Sequence, residues 1–148
     1  AVLFINNRET EYFNSLVKTD VKNSYHVYKV NKISEEMLDG APLEIDIYPK
    51  LVEFLEEVLK GDIILVEHNA IFDMRFLKNT LERLGYIGHI RYLDTLKISY
   101  MFPTIDHHQS TIAEYLEIRN EKEHRAYTDA LACGKILNKV LEIRSSNI

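Results

Sequence analysis

The feature that most constrains the fold is the continuous apolar run "DIILV" at residues 62–66, which leads into a helical pattern. Apolar residues without polar alternation are typical of a strand covered on both faces, as in parallel sheets. The following pattern predicts a helix over about 70–84, with Leu77, Leu81 and Leu84 on one stripe. "IRYLDTL" followed by "TLKISYMF" repeats the order of strand and helix. These two units predict an α/β domain whose later strands are parallel.

The remaining segments predict a hairpin and further helices. "AVLFINN" and "EYFNSLVK" are typical of antiparallel strands, with Asn6 and Asn7 at the tip of their turn. "KTDVKNSYHVYKVN" shows no clear period and is interpreted as a loop. Helices are predicted from capping residues and helical spacing in four places: "SEEML" beginning at Ser34, 46–60 closed by Gly61, "STIAEYLEI" capped by Ser110 or Thr111, and 126 to about 143.

Length, charge and cysteine content limit the class of protein. The 148 residues predict one domain, 1–148, without repeats or linkers. A net charge of −5 argues against binding long nucleic acid mainly by Coulomb attraction, although a short end could be held through metal ions. The single cysteine, Cys133, fits a reducing compartment, and no apolar run approaches the ~20 residues that span a bilayer. We therefore expect a cytoplasmic protein without a membrane anchor or signal peptide.

Two predicted helices each carry an aspartate in the first turn, on the predicted packing side. Counting back four residues from Leu77 reaches Asp73, and the stripe of the last helix runs back from Cys133 to Asp129. An unpaired buried carboxylate costs several kcal/mol, so both acids are expected to have partners. Those partners are bound cations, Arg or Lys side chains, or helix N-terminal amides. Taken alone, Asp73 also fits ordinary helix capping.

A histidine completes a set that could carry out hydrolysis. His124 lies five residues before Asp129, just outside the last predicted helix. Histidine takes a proton from water near neutral pH, and two aspartates bind hard divalent cations through oxygen. Together the three residues indicate metal-assisted hydrolysis, with two ions ~3.5–4 Å apart in a two-metal site. His124 alone would be interpreted as an ordinary surface or core histidine, and "TIDHHQS" as a solvated loop rather than a metal site.

The motifs around these residues resemble those of a known family. "HNAIFDMRFL" and "HRAYTDA" are similar to the second and third motifs of the DEDDh 3′-to-5′ exonucleases, which include the proofreading epsilon subunit of bacterial DNA polymerase III. The third motif is the more specific, because His, Arg-Ala and Asp fall at the family's spacing. "ISEEMLDGAP", "LDTL" and "STIAEYLEI" resemble the intervening segments, so the similarity covers nearly the whole chain. The resemblance implies an RNase H-like mixed sheet flanked by helices.

The resemblance also implies a role for each matching residue. It makes Asp73 and Asp129 metal ligands for two Mg²⁺ or Mn²⁺ ions and His124 the general base. Asn69 and Phe72 would lie near the terminal nucleotide, although Asn69 equally fits a turn at the end of a strand. From the residues alone, Phe72 and Phe76 are interpreted as core side chains.

The family's activity supplies the expected function. It is the release of nucleoside 5′-monophosphates from single-stranded or frayed 3′ ends of DNA, as in proofreading, with a DNA polymerase subunit as an expected partner. Two alternatives stay open: a non-catalytic scaffold or docking domain of the same fold, and a family member that acts on RNA. No residue distinguishes a site that accepts a 2′-hydroxyl from one that does not.

The family's first motif, an aspartate and a glutamate two residues apart on the first strand, is not found. The nearest match, "RETEYF" with Glu9 and Glu11, has the wrong flanks. "AVLFINN" and "EYFNSLVK" instead resemble the family's second and third strands. We therefore expect an N-terminally incomplete exonuclease domain that lacks the first strand and could be inactive as given. Another segment in that strand's place, or a relative that has lost catalysis, are the other interpretations.

Overall fold

Short strands and helices alternate along the chain in a mixed α/β arrangement. The computed structural model describes residues 1–86, 88–119 and 125–146. In these ranges the strands are β1 (Val2–Ile5), β2 (Arg8–Tyr12), β3 (Leu65–Glu67) and β4 (Tyr92–Asp94). The helices are α1 (Tyr25–Asn31), α2 (Glu35–Asp39), α3 (Glu44–Phe54), α4 (Glu56–Lys60), α5 (Ala70–Arg83), α6 (Thr95–Ser99), α7 (Gln109–Tyr115) and α8 (Ala126–Ser145).

The strands pair as two separate ladders. β1 and β2 form the predicted antiparallel hairpin, although β2 covers Arg8–Tyr12 rather than the predicted "EYFNSLVK". The hairpin turn places Asn6 and Asn7 at φ of 51° and 63°. Asparagine tolerates this left-handed conformation, which two-residue hairpin turns require. β3 and β4 pair in parallel, with Glu67 opposite Asp94. In the described part of the chain the two ladders share no strand pairing, so the predicted antiparallel start and parallel continuation are confirmed as two units.

Helix α8 packs against a strand of each ladder. It contacts both β1 and β3. The Phe4 ring lies so close to Gly134 that a Cβ at position 134 would be 2.3 Å from a ring carbon. The hydroxyl of Tyr127 donates to Glu9 Oε1 at 2.8 Å. Because one helix contacts both ladders, α8 sets where the hairpin lies relative to β3.

The buried apolar side chains form two clusters. The first joins α3, α4 and α5 and contains Val52, Leu55, Val58, Leu81 and Ile90. The second joins α7 and α8 and contains Ile112, Ala113, Leu116, Ile136 and Val140. Full burial of a large aliphatic side chain contributes ~1.5–3 kcal/mol. The helices that carry Asp73 and Asp129 are therefore each held by their own cluster.

Three expectations about helices differ from the structure. The segment interpreted as a loop contains α1, whose first turn is capped by Ser24 accepting from the Val27 N–H. No residue of α1 is buried, so it lacks the apolar stripe by which a helix is recognised in sequence. The helix expected over 46–60 is divided at Leu55, and the N-cap of α7 is His108 rather than Ser110 or Thr111.

The sequence led us to expect no membrane-spanning segment, and the helices of the structure can be compared with this expectation. Among the described residues, no helix combines the length and the apolar character that crossing a bilayer requires.

Candidate active site

The junction between β3 and α5 carries the first predicted ligand. Asp73 lies in the first turn of α5, as expected, but the residue is exposed rather than buried. At about 100° per residue, Asp73 lies ~80° around the helix from Leu81, the buried centre of the stripe. Counting in steps of four neglects this rotation and moves Asp73 onto the packing side. The carboxylate is therefore at the edge of the packing face, where a ligand from solvent can reach it.

The two phenylalanines of the second motif were wrongly interpreted as core residues. Phe72 and Phe76 are each 61% exposed, and their ring centroids are 5.0 Å apart. Phe72 lies about 180° and Phe76 about 140° around α5 from Leu81, so neither side chain can reach the cluster behind the helix. The pair forms an exposed aromatic surface on the helix that carries Asp73.

Asn69 makes the turn that joins the strand to the helix. It is the N-cap residue of α5 with φ 67°, and its backbone N–H donates to Asp94 Oδ1 at 3.0 Å. The interpretation of Asn69 as a turn residue is thus confirmed, while its predicted contact with substrate stays a prediction. Asp94 also accepts from the Leu96 N–H at 3.0 Å, so this 7% exposed carboxylate is satisfied by two backbone donors.

Glu67, at the end of β3, is an acid that was not predicted from the sequence. Its Oε2 is buried and has no hydrogen-bond partner within the described part of the chain. Burial, together with the nearby carboxylates of Asp73 and Asp94, raises the pKa of Glu67 to about 7. The signal in the sequence is a charged residue closing an otherwise apolar strand, "DIILVE".

The carboxylate of Asp73 likewise has no partner among the described residues. Partial burial raises the pKa of its carboxyl group above the ordinary value. Among the described residues, no hydrogen bond or ion pair reaches the Asp73 carboxylate, and α5 has no side-chain cap. Ordinary helix capping therefore does not account for this acid. Two neighbouring carboxylates, Glu67 and Asp73, share a site without a described cationic partner.

The second predicted ligand, Asp129, lies in the first turn of α8 and is partly buried. Its position follows the packing stripe, about 20° from Val140, as expected from the sequence. One turn further along, the pKa of Cys133 is raised to about 12, mainly by burial and in part by the carboxylates of Glu67, Asp94 and Asp73. The acids of β3 and α5 are therefore close enough to act electrostatically on α8.

The donor chemistry of this region fits a hard divalent cation. Carboxylate oxygens are the preferred protein ligands of Mg²⁺, and the orphaned Glu67 Oε2 marks negative charge that nothing described neutralises. Within residues 1–86, 88–119 and 125–146, no three His, Cys, Asp or Glu side chains are already placed together to hold a metal ion. The predicted general base, His124, lies outside the described residues. The acids are thus candidate ligands, but the described residues do not form a preassembled set.

Glu9, from the segment nearest to a first motif, accepts a hydrogen bond from the Tyr127 hydroxyl at the start of α8. Within the described residues, no group of three His, Cys, Asp or Glu side chains that could hold a metal ion includes Glu9.

Comparison with known proteins identifies the fold. The structure matches that of Exonuclease X in complex with 5′ overhanging duplex DNA with a TM-score of 0.70, over 96% of this chain and 80% of that chain, at 19% identity. This likeness confirms the predicted α/β, RNase H-like fold.

Curated relatives contain similar sequences within much longer chains. A PolC-type DNA polymerase III of Caldanaerobacter subterraneus subsp. tengcongensis is 34% identical over 144 residues, covering 96% of this chain and 10% of that protein. The 3′-5′ exonuclease DinG of Staphylococcus epidermidis is 30% identical over 139 residues, covering 92% of this chain and 15% of that protein. The family model described as "Exonuclease" matches residues 1–137. The chain belongs to the exonuclease family.

Proposed function

We propose that this chain is the catalytic domain of a metal-dependent 3′-to-5′ exonuclease that removes nucleoside 5′-monophosphates from single-stranded or frayed 3′ ends of DNA. The observation that carries the proposal is the group of uncompensated acids at the β3–α5 junction. A buried carboxylate oxygen without a partner is costly, and a divalent cation removes that cost. A purely structural role would pair Glu67 and Asp73 with Arg, Lys or backbone N–H groups, as Asp94 is paired.

Each residue has a distinct role in this proposal. Asp73 and Asp129 hold two Mg²⁺ or Mn²⁺ ions, and His124 removes a proton from the attacking water. Bound ions of this kind activate water and stabilise charge on the leaving oxygen. Asn69 turns the chain so that α5 begins beside the 3′ end.

The exposed aromatic pair supports a single-stranded substrate. Bases stack on aromatic side chains in proteins that bind single strands, contributing ~1–3 kcal/mol per base. Phe72 is one residue from Asp73, so a base stacked on its ring would bring the adjacent phosphate to the acids. DNA is proposed rather than RNA because the relatives are named as DNA polymerase III and as a 3′-5′ exonuclease. Proofreading beside a DNA polymerase subunit is proposed on the same ground.

The first-strand carboxylates of the family are also part of the proposal. The two ladders share no pairing in the described residues, yet α8 contacts a strand of each. We propose that a strand with an Asp-x-Glu pair lies between β1 and β3 and completes the metal site. A chain that carries such a strand should then show higher Mn²⁺-dependent activity than one without it.

The test is mononucleotide release from single-stranded DNA in Mn²⁺, measured with the full-length protein. Substrates labelled at the 5′ end should shorten from the 3′ end one nucleotide at a time. His124→Ala should lower the rate by ~10²-fold or more, because general base catalysis contributes at least that much. His89→Ala is the matched control, because His89 is an exposed histidine to which the proposal gives no role.

Two results would favour the other interpretations. If a chain that carries such a strand still releases no mononucleotide in a His124-dependent manner, the scaffold interpretation replaces the enzyme. Equal or faster release from RNA of the same sequence would change the proposed substrate while leaving the proposed chemistry.

A further inference from the structure

Residues 107–109, here called the brace, contact the starts of both helices that carry the proposed metal ligands. His68, at the β3–α5 junction, has its Nε2 2.9 Å from the backbone oxygen of His107. Gln109, the first residue of α7, donates through its Nε2 to the backbone oxygen of Asp129 at 2.7 Å. Three consecutive residues therefore connect the beginning of α5 to the beginning of α8.

The contact of His68 defines the orientation of its ring. A backbone oxygen can only accept, so the Nε2 must carry a proton. The Nδ1 lies 3.0 Å from the Thr95 hydroxyl oxygen, and that hydroxyl donates to the Glu67 backbone oxygen at 3.0 Å. Both nitrogens have partners on different segments. His68 thus connects β3 to α6 through Thr95 and to the brace through His107.

The segment around the brace is itself held by several contacts. The Thr104 hydroxyl donates to the Asp106 backbone oxygen at 2.6 Å, and the His108 N–H donates to Asp106 Oδ1 at 3.0 Å. The His107 ring packs edge-on against Tyr100, with centroids 4.4 Å apart. These contacts hold the segment more firmly than expected for a solvated loop. "TIDHHQS" was interpreted as such a loop from its sequence.

We propose that His68 and Gln109 are positioning residues, which through the brace fix the spacing between Asp73 and Asp129. The proposal rests on the proposed function, since it assigns the two aspartates to one cation site. Asp73 follows His68 by five residues, and the Gln109 bond ends on the main chain of Asp129 itself. Partners one step beyond the ligands of a metal typically change its affinity 10–100-fold when they are removed.

The experiment measures Mn²⁺ binding to the full-length protein by the electron paramagnetic resonance signal of free Mn²⁺. His68→Phe keeps a ring but removes both hydrogen bonds, and Gln109→Leu removes the amide at similar size. Each should weaken Mn²⁺ binding on the order of tenfold. His68→Gln retains a donor and an acceptor and should restore affinity to within about threefold. His89→Phe, the same change in an exposed histidine outside the brace, should leave affinity unchanged.

Combining Gln109→Leu with a ligand variant distinguishes a positioning role from a general loss of stability. In an Asp129→Asn background, Gln109→Leu should change Mn²⁺ affinity little, because the residue it positions no longer contributes its charge. Urea unfolding of each variant verifies that binding is measured on folded protein. Gln109→Leu keeps the test valid even if His68→Phe fails to fold.

Two outcomes would overturn the proposal, and only the second would also contradict the metal assignment in the proposed function. If His68→Phe and Gln109→Leu bind Mn²⁺ as tightly as the unaltered protein while Asp73→Asn weakens binding, these two residues do not position the ligands. The proposed function then stands. If Asp73→Asn and Asp129→Asn also leave Mn²⁺ affinity unchanged, the metal assignment in the proposed function is wrong and the brace proposal falls with it.

Discussion

The ends of the two parallel strands carry acids that face one another in register but differ in their surroundings. Glu67 closes β3 and Asp94 closes β4, and the two residues are paired positions in the ladder. Asp94 accepts from two backbone N–H groups, whereas the buried Oε2 of Glu67 accepts from none in the described residues. The strands are equivalent in topology, so the difference comes from the chain segment that joins each strand to its helix.

After β4 the chain turns directly into α6, and Asp94 caps that helix. After β3 the chain passes through the left-handed Asn69, whose N–H points to Asp94 rather than to Glu67. One acid thus receives the amides of both junctions, and the other receives neither. A carboxylate satisfied by main-chain amides stabilises the fold, while an unsatisfied one is available to a ligand.

The largest effect is expected at the satisfied acid. Asp94→Ala leaves two backbone N–H groups without their acceptor, which should lower the free energy of unfolding by about 2–4 kcal/mol. Urea denaturation followed by circular dichroism measures the loss. Asp94→Asn keeps an acceptor oxygen and should lose clearly less. Equal losses in the two variants would show that the hydrogen bonds are not what Asp94 contributes.

Glu67→Gln should instead raise the free energy of unfolding. The pKa of Glu67 is about 7 in the folded chain against 4.5 ordinarily, so the folded state binds the extra proton and stability falls as pH rises between these values. Glutamine removes this loss. Without divalent cations, its stability advantage should grow by about 1 kcal/mol from pH 4.5 to pH 8, an amount reduced by partial solvation. An advantage that stays constant with pH would contradict the assigned cause.

Asp73→Asn should show the smallest effect on the metal-free chain. Partial burial raises the pKa of Asp73 because the ionised carboxylate is less well solvated in the folded chain than in the unfolded one. Removing the charge therefore stabilises the chain, by only a few tenths of a kcal/mol because the residue is exposed. Melting temperatures with a chelator measure the change. A fall of more than about 1 kcal/mol would indicate a structural partner and weaken the contrast with Asp94.

The sequence predicted the elements of this region better than their contacts. The apolar run before Glu67 and the stripe of α5 were sufficient for a strand and a helix, because both depend on local periodicity. The partners of Glu67 and Asp94 depend on strand register and on the turn at Asn69, which no local pattern contains. Asp94 still had a recognisable signal, since aspartate directly before a helix is a common N-cap.

The two proposed ligands show a finer limit. Asp129 was predicted on the packing stripe of α8 and lies there, whereas Asp73 was predicted on the stripe of α5 and lies at its edge. The steps back along α8 from Val140 to Asp129 alternate between four and three residues and end about 20° from where they began, whereas the two steps of four from Leu81 to Asp73 rotate about 80° around α5. Phe72 and Phe76 were interpreted as core side chains and are exposed.

The contacts of α8 with the hairpin also determine when the hairpin can reach its final state. Tyr127 and Glu9 are 118 positions apart in the chain, and the side-chain amide of Asn138 donates to the backbone oxygen of Asn7 across 131 positions. Contacts between residues so far apart in sequence slow the folding of a domain, because the long loop between them must close before they form. During synthesis the hairpin must therefore wait, undocked, until α8 has left the ribosome.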